Sequence, residues 1–314
     1  MKQDSFFDVE NVENETFSKI TNVASVPQLS VFRYPGGKTW FIPRLREWLK
    51  SQKIKPKVFI EPFVGGGICS LTSVSENLCD MALMGDLDEE VGAVWQAILS
   101  SDADWLAEKI LLFEMNYENV SNVIKKDSCS VKDRAFKTIL KNRCSHGGIL
   151  ASGAGFLRKG ESGKGILSRW YPDTLAKRIK VIHLLRNNLE FRLVDAFDIL
   201  DEFKSRDDVV FFIDPPYTVG GKRAGKRLYT HHELDHDLLF KKCAELRGDF
   251  IMTYDNADEV KNLVKKYNFE AMPIPMKNTH HAKMTELVIG RNLEWINEIN
   301  RFLKRQALQK VKKV

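Results

Sequence analysis

Four short apolar runs, none with the alternation of a half-exposed strand, decide most of what this chain can fold into. Val58-Phe59-Ile60 leads into Glu61-Pro62, and Met81-Ala82-Leu83-Met84 into Gly85-Asp86. Val209 to Ile213 leads into Asp214-Pro215-Pro216, and Phe250-Ile251-Met252 into Thr253-Tyr254-Asp255. A strand that is apolar on both faces must be covered on both, as a central parallel strand is when helices sandwich it. Helical periodicity lies between the runs. From Asp173 to Asn188, and on to Leu189, Leu175, Ile179, Ile182, Leu185 and Leu189 recur at three- and four-residue steps, with Asp173 placed as an N-cap. The expected fold class is therefore α/β, a doubly wound, mostly parallel sheet. Ligands of such sheets bind beyond the carboxyl ends of the strands, so the polar and glycine residues after each run are where chemistry is expected.

The length allows one large α/β domain and a smaller inserted one. Residues 29–94 and 189–314 carry the strand runs. Residues 95–188 lack strong ones, read as helical and then as rich in Gly and basic residues, and are expected to form an inserted, mainly helical domain. Residues 1–28, with Asp4, Asp8, Glu10, Glu13 and Glu15, read as a polar and flexible tail, not a signal peptide. No apolar run approaches the ~18 residues of a membrane span. The five cysteines, Cys69, Cys79, Cys129, Cys144 and Cys243, are odd in number and form no CxxC pair, which argues against a disulfide framework and a zinc site and suits a reducing cytoplasm. His231, His232, His236, His280 and His281 read as helix-start and loop residues, and no metal is expected. The net charge is +6, yet Lys132 to Arg192 alone holds 14 Lys/Arg against 4 Asp/Glu. Such a concentration is what a polyanion-binding face needs, since neutralising phosphates releases condensed counterions.

Three motifs carry candidate chemistry. Asp214-Pro215-Pro216-Tyr217 follows the apolar run Val209–Ile213. The exocyclic amine of a nucleobase is a poor nucleophile because its lone pair is delocalised into the ring. Two acceptors on its N–H groups favour a tetrahedral nitrogen with the lone pair out of plane. Asp214 supplies one, and the Pro215 carbonyl, directed by two successive prolines, supplies another. Tyr217 is suited to stack on a base drawn out of a duplex. The second motif is Glu61-Pro62-Phe63-Val64-Gly65-Gly66-Gly67, a strand followed by a glycine loop that lets backbone approach a ligand. No Gly-Lys-Ser/Thr follows, which disfavours a phosphate loop. Asp86, or alternatively Asp88, stands where an acidic side chain accepts from ribose hydroxyls. The third motif is Arg33-Tyr34-Pro35-Gly36-Gly37-Lys38, a carboxylate clamp or a plain turn.

Together these motifs resemble the Dam-like (D12 class, α-group) DNA adenine-N6 methyltransferases. Tyr34–Lys38 looks like that family's N-terminal cofactor motif, Phe63–Gly67 like its FxGxG motif, Asp86-Leu87-Asp88 like its acidic motif, and Asp214–Tyr217 like its catalytic DPPY. The order, with the inserted region before DPPY, matches the α group. Weaker similarities lie at Asp195-Ala196-Phe197, Thr253-Tyr254-Asp255 and Glu286-Leu287-Val288-Ile289, so the resemblance spans about residues 31–290. It implies a Rossmann-like methyltransferase that moves the methyl group of S-adenosyl-L-methionine to N6 of a flipped adenine in double-stranded DNA, leaving S-adenosyl-L-homocysteine. Tyr34, Gly37, Lys38, Phe63, Val64, Gly65, Gly66, Gly67, Asp86, Asp195 and Asp214 are then the cofactor-binding candidates. Asp214, Pro215, Pro216 and Tyr217 are the catalytic ones.

One departure bears on the target. Family members that read GATC carry Asn-Arg followed by Phe-Asn-Gly-Leu, whereas here Asn142-Arg143 is followed by Cys144-Ser145-His146-Gly147-Gly148-Ile149, which points away from GATC. Candidates for DNA contact are Asn142, Arg143, His146, Arg158, Lys159, Lys164 and Arg169. Arg is the usual reader of guanine in the major groove, though a phosphate contact is the more ordinary role. Lys222, Arg223, Lys226 and Arg227, directly after DPPY, add a basic loop suited to the backbone beside the flipped nucleotide. A monomer acting in the cytoplasm of a bacterium, or encoded by a phage, is expected, with a cognate restriction endonuclease as a candidate partner. The rival readings are an amino-methyltransferase acting on cytosine N4 or on RNA, and an inactive nucleic-acid-binding relative.

Overall fold

The computed structural model describes residues 23–33, 36–128, 130–150, 155–157, 163–216, 234–277 and 283–296. Tyr34, Arg158, Lys159, Tyr217, the basic loop with Lys222, Arg223, Lys226 and Arg227, and residues 1–22 of the expected tail lie outside them, as do Cys129, His231, His232, His280 and His281.

The apolar runs become parallel strands: β1 Val58–Glu61, β2 Met81–Asp86, β4 Val209–Ile213 and β5 Asp249–Asp255. With β3 Leu189–Leu193, β6 Glu270–Lys277 and β7 Lys283–Gly290 they form one sheet in the order β3-β2-β1-β4-β5-β7-β6. β3, β2, β1, β4 and β5 run parallel, and β7 is antiparallel to both β5 and β6. The three strands absent from the sequence reading each have a reason. β3 is an edge strand whose Glu190 and Arg192 alternate with Leu189, Phe191 and Leu193. β6, at the other edge, contains Pro273 and Pro275, which an edge tolerates because a missing N–H there breaks no interior ladder. β7 begins with the polar Lys283 and Thr285 before its apolar half.

Alternation along each strand divides the core in two. Phe59, Val210, Phe212 and Ile251 point to one face, against α1 (Ile42–Ser51), α2 (Ile68–Ser75) and α3 (Glu89–Leu99). Phe41 stacks on Phe212 with ring centroids 5.3 Å apart, and Phe59 lies on the same ring. This cluster continues without a break into α4 (Ala103–Leu112), α5 (Tyr117–Lys125), α6 (Val131–Cys144) and α7 (Pro172–Leu184), all between β2 and β3. Ile60, Leu83, Phe211, Ile213, Phe250 and Met252 point to the other face, against α8 (Ala196–Phe203), α9 (His236–Glu245) and α10 (Asp258–Lys266). Each such fully buried side chain contributes roughly 1.5–3 kcal/mol of transfer free energy. Val26, inside the expected tail, is buried in the first cluster.

The periodic segment from Asp173 is a helix, but Asp173 is not its cap. α7 starts at Pro172, whose fixed φ suits the first helical position, and the N-cap is Tyr171 with no side-chain capping bond. The four described cysteines, Cys69, Cys79, Cys144 and Cys243, are buried free thiols. His236 opens α9, where Asp235 caps by accepting from Leu238 N. No helix among the described residues is long and apolar enough to cross a membrane.

β1 is flanked by β2 on one side and β4 on the other, so the chain order reverses between β1 and β4. A crevice opens at the carboxyl ends of strands at such a point. The glycine loop leaves β1 and Asp214 leaves β4, so the topology itself brings the two strongest motifs together.

Candidate active site

The glycine loop is held from several directions. Val64 N donates to Gly85 O at 2.8 Å, tying the loop to the end of β2. Asp86 Oδ2 accepts from Gly65 N at 2.9 Å, and its Oδ1 accepts from Asp88 N at 2.9 Å. Trp95 Nε1 donates to Gly65 O at 3.1 Å, and Ser30 Oγ to Gly66 O at 2.5 Å. Gly67 has φ +63°, and a Cβ there would lie 2.7 Å from the Trp95 ring, so both its backbone and its surroundings require glycine. Asp88, the alternative to Asp86, is used as the N-cap of α3, accepting from Glu90 N at 2.8 Å. Below the loop, the buried Glu61 accepts from Ser70 N at 2.9 Å and from Ser70 Oγ. Burial pushes this carboxyl up to about 8, against the opposing effect of the Ser70 bonds.

Asp214, half-buried at the end of β4, is fixed through Oδ1. Thr253 Oγ1 donates to it at 2.8 Å from β5, and Lys38 Nζ lies 2.9 Å away. Lys38 is 4% exposed; its ammonium also donates to Gly36 O at 3.0 Å and sits 3.4 Å from Glu286 Oε2 on β7. Burial raises the Glu286 carboxyl to about 7, with Lys38 acting in the opposite direction.

A single cleft is lined by Gly37 and Lys38, by Phe63, Val64, Gly65, Gly66 and Gly67, and by Asp86, Asp195, Asp214 and Pro216. Asp195 caps α8, accepting from Phe197 N at 2.8 Å. Among the described lining residues Glu61, Asp86, Asp88, Asp195, Asp214 and Asp235 are acidic, and Lys38 is the cation. Such a lining suits a ligand that carries positive charge and hydroxyl groups. Pro215 is buried and its side chain is not part of the lining. No group of His, Cys, Asp or Glu among the described residues is arranged to hold a metal ion.

The match to the family model described as D12 class N6 adenine-specific DNA methyltransferase covers residues 34–278, from the clamp through DPPY to β6. The chain belongs to this family. The enzyme is thus a methyltransferase of adenine N6 in DNA, and the family implies S-adenosylmethionine as the methyl donor. It is similar to the Type II methyltransferase M.MjaIII of Methanocaldococcus jannaschii, with 22% identity over 262 residues that cover 76% of this chain and 88% of the relative. Among solved structures it is similar to a SAM-dependent methyltransferase from Agrobacterium tumefaciens at a TM-score of 0.39 and 10% identity, covering 81% of this chain and 60% of that one. It is also similar to the rRNA methyltransferase aviRa from Streptomyces viridochromogenes at a TM-score of 0.35 and 13% identity, covering 91% and 94%.

Of the residues read as DNA contacts, His146 and Lys164 are exposed and Arg169 is half-buried. Asn142 and Arg143 are buried rather than open to DNA as the sequence suggested. Asn142 Oδ1 accepts from Arg33 N at 2.9 Å, while its Nδ2 donates to Arg33 O at 3.1 Å and Gly148 O at 2.7 Å. Arg143 donates to Val31 O, and Arg178 Nη1 to Ser30 O at 2.8 Å. Burial, then the nearby Arg178, lowers the Arg143 guanidinium to about 10. A carboxamide that bonds both the N–H and the C=O of one residue stands in for a neighbouring strand. These residues therefore brace segment 30–33 against the helices of the methyltransferase. Sequence reasoning also missed Ser30 and Trp95 on the loop, and gave no site role to Thr253 and Glu286 around Asp214, though both begin segments noted as similar to the family. For Glu286 a signal was present, because a carboxylate directly before Leu287-Val288-Ile289 must be paired if that strand is buried.

Proposed function

We propose that the cleft binds S-adenosylmethionine and that Asp214 and the Pro215 carbonyl hold the exocyclic amine of an adenine drawn out of double-stranded DNA. The carrying observation is the position of Asp214: it stands in the same cleft as the glycine loop, held on one oxygen by Lys38 and Thr253. The residues present fit the cofactor. The acidic lining suits a sulfonium, glycine backbone leaves room for an adenosyl group, a carboxylate such as Asp86 or Asp195 suits hydroxyl or adenine contact, and the Lys38 ammonium suits a carboxylate. The cofactor supplies an electrophilic methyl group on sulfur. Asp214 and Pro215 accept from the two N–H groups, turn the nitrogen lone pair out of the ring plane and fix the amine's position. Tyr217 is the stacking partner of the extruded base, since such enzymes must take the base out of the helix to reach it.

The helical segment 95–188 reads as the target-recognition part, with His146, Lys164 and Arg169, together with Arg158 and Lys159, as its DNA contacts. The recognition sequence differs from GATC in this reading. The Type II name of the methanococcal relative supports a restriction-modification setting with a cognate endonuclease, and the protein acts as a cytoplasmic monomer.

The test is to incubate the purified protein with S-adenosylmethionine and unmethylated genomic DNA, digest to nucleosides and identify the product by mass spectrometry. N6-methyladenine is expected from the wild type. Asp214→Ala should give none while keeping the wild-type circular dichroism spectrum, because Asp214 ends a strand at the cleft and Lys38 keeps its ion pair with Glu286 when Asp214 is removed. An active Asp214→Ala protein would remove Asp214 from its assigned role.

A further inference from the structure

The reaction leaves a proton to be disposed of, and Glu286 is a buried carboxyl with no task in the mechanism proposed above. β7 places Glu286 opposite Asp255 on β5 and Ile274 on β6, at 6% exposure. Its Oε2 lies 3.4 Å from Lys38 Nζ, which lies 2.9 Å from Asp214 Oδ1. One ammonium thus bridges two carboxyls, only one of which reaches the cleft: Asp214 lines it and Glu286 does not. A counter-ion for Lys38 is already supplied by Asp214. A second, deeper carboxylate adds a desolvation cost that the pairing of Lys38 with Asp214 does not require.

When a neutral amine accepts a methyl cation, its nitrogen becomes positively charged and must lose a proton before the product is neutral. We propose that Glu286 is the terminal acceptor of that proton, receiving it through Lys38 from Asp214. The N–H bond of the methylated cation breaks, its electron pair stays on nitrogen, and the proton passes to Asp214. Asp214 hands a proton to Lys38 Nζ as Lys38 passes one of its own to Glu286 Oε2. The step ends with a neutral methylamino group, an Asp214 carboxylate, a Lys38 ammonium and a Glu286 carboxylic acid. Glu286 then returns its proton to solvent before the next turnover. The relay rests on the assignment of Asp214 to the target amine.

The surroundings of Glu286 suit this role. Lys38 favours its charged form, whereas burial, Asp214 and Asp255 favour the acid, so it changes state near neutral pH, at about 7. Because its folded value lies above the ordinary carboxylate range, it is ionised and able to accept above about 7 and already protonated below. Of the buried carboxyls that do line the cleft, Glu61 is engaged by Ser70 and Asp88 by the first turn of α3, and neither is paired with Lys38 among the described ion pairs.

The decisive experiment is the pH dependence of single-turnover methyl transfer, with S-adenosylmethionine and unmethylated DNA, for the wild type, Glu286→Gln and Glu286→Asp. It is paired with a carbon-13 carboxyl NMR titration of the same proteins without cofactor. The wild-type rate should fall about tenfold per pH unit below a break near neutrality. Glu286→Gln should lose that break and run roughly 10- to 100-fold slower at alkaline pH with an unchanged affinity for S-adenosylmethionine. A glutamate signal titrating near neutrality should vanish in the same variant. Glu286→Asp, which keeps the acid, should keep a break. A Glu286→Gln protein whose break persists, or whose defect lies wholly in cofactor affinity, overturns the relay and leaves Glu286 a counter-ion. Should Glu286→Gln not fold, a Glu286 signal, assigned by its loss in Glu286→Asp, that stays ionised down to about pH 5 overturns it equally. An active Asp214→Ala would instead bring down the assignment of Asp214 on which the relay depends.

Discussion

Replacing Asn142 with alanine tests whether the helical segment and the cofactor clamp are one mechanical unit. The side chain makes three hydrogen bonds, to Arg33 N, Arg33 O and Gly148 O, at 2.9, 3.1 and 2.7 Å. A methyl group replaces none of them. Arg33 is half-buried, so water recovers part of the loss there, whereas Gly148 is buried, packed so closely that a Cβ there would meet Arg33 O. With about 0.5–1.5 kcal/mol per hydrogen bond and about 1–3 for a buried group left unpaired, the total comes to roughly 2–4 kcal/mol. For a chain of this size that corresponds to a fall in Tm of roughly 3–6 °C, readable by calorimetry. The more telling number is cofactor affinity. Segment 30–33 carries Ser30, which holds Gly66 O, and it runs directly into the clamp at Gly36 to Lys38. If about 1.4 kcal/mol of the loss appears as loosening of this segment, the Kd for S-adenosylmethionine rises about tenfold, although Asn142 is not among the residues lining the cleft. A lowered Tm with an unchanged Kd would refute the link between brace and clamp. An unchanged Tm would refute the energetic reading of the three bonds.

Two further predictions address the loop and the DNA. Gly67→Ala must adopt a left-handed backbone at a cost of roughly 1–2 kcal/mol and push into the Trp95 ring 2.7 Å away, so it should lose cofactor binding; near-normal affinity by calorimetry would contradict the loop geometry. Replacing Lys222, Arg223, Lys226 and Arg227 together by alanine should weaken DNA binding and lower the slope of log K against log salt by about 0.9 for each phosphate no longer neutralised, and an unaltered slope would exclude this loop from the DNA backbone.

What could be read from the sequence and what could not follow from the range of the interactions involved. The strands β1, β2, β4 and β5 were legible because each is buried on both faces and so carries an uninterrupted apolar run. Once they are parallel and central, the residues just after them converge by topology alone. That is why Phe63 to Gly67, Asp86 and Asp214 could be brought to one cleft without knowledge of any contact between them. β3 and β6 were not legible, because edge position lets Glu190, Arg192, Pro273 and Pro275 stand in strands without penalty, and β7, though interior, opens on the polar Lys283 and Thr285. Missing β7 hid Glu286, whose meeting with Lys38 depends on a reversed strand slotting between β5 and β6, a pairing that no local pattern encodes.

Asn142 and Arg143 show the opposite failure. Their likeness to the Asn-Arg pair of GATC-reading relatives and their place in a strongly basic segment suggested a surface for DNA, yet neither a motif nor a charge count says which side of a helix a residue occupies. In the fold, α6 turns these two inward against segment 30–33, and the exposed positions fall to His146 and to Lys164 instead. The burial of Asn142 and Arg143 has a consequence for how such an enzyme would work. Three side chains of the helical segment, Asn142, Arg143 and Arg178, hold segment 30–33, which Ser30 joins to the glycine loop, while the exposed turn at His146 and Gly147 begins immediately beyond α6. A displacement of that turn by bound DNA would pull on the same helix end that fixes the clamp. Cofactor and DNA affinities measured on the wild type should then be coupled and should lose much of that coupling in Asn142→Ala, because Asn142 is the one of these three side chains that bonds both Gly148 O beside the turn and Arg33 of the braced segment.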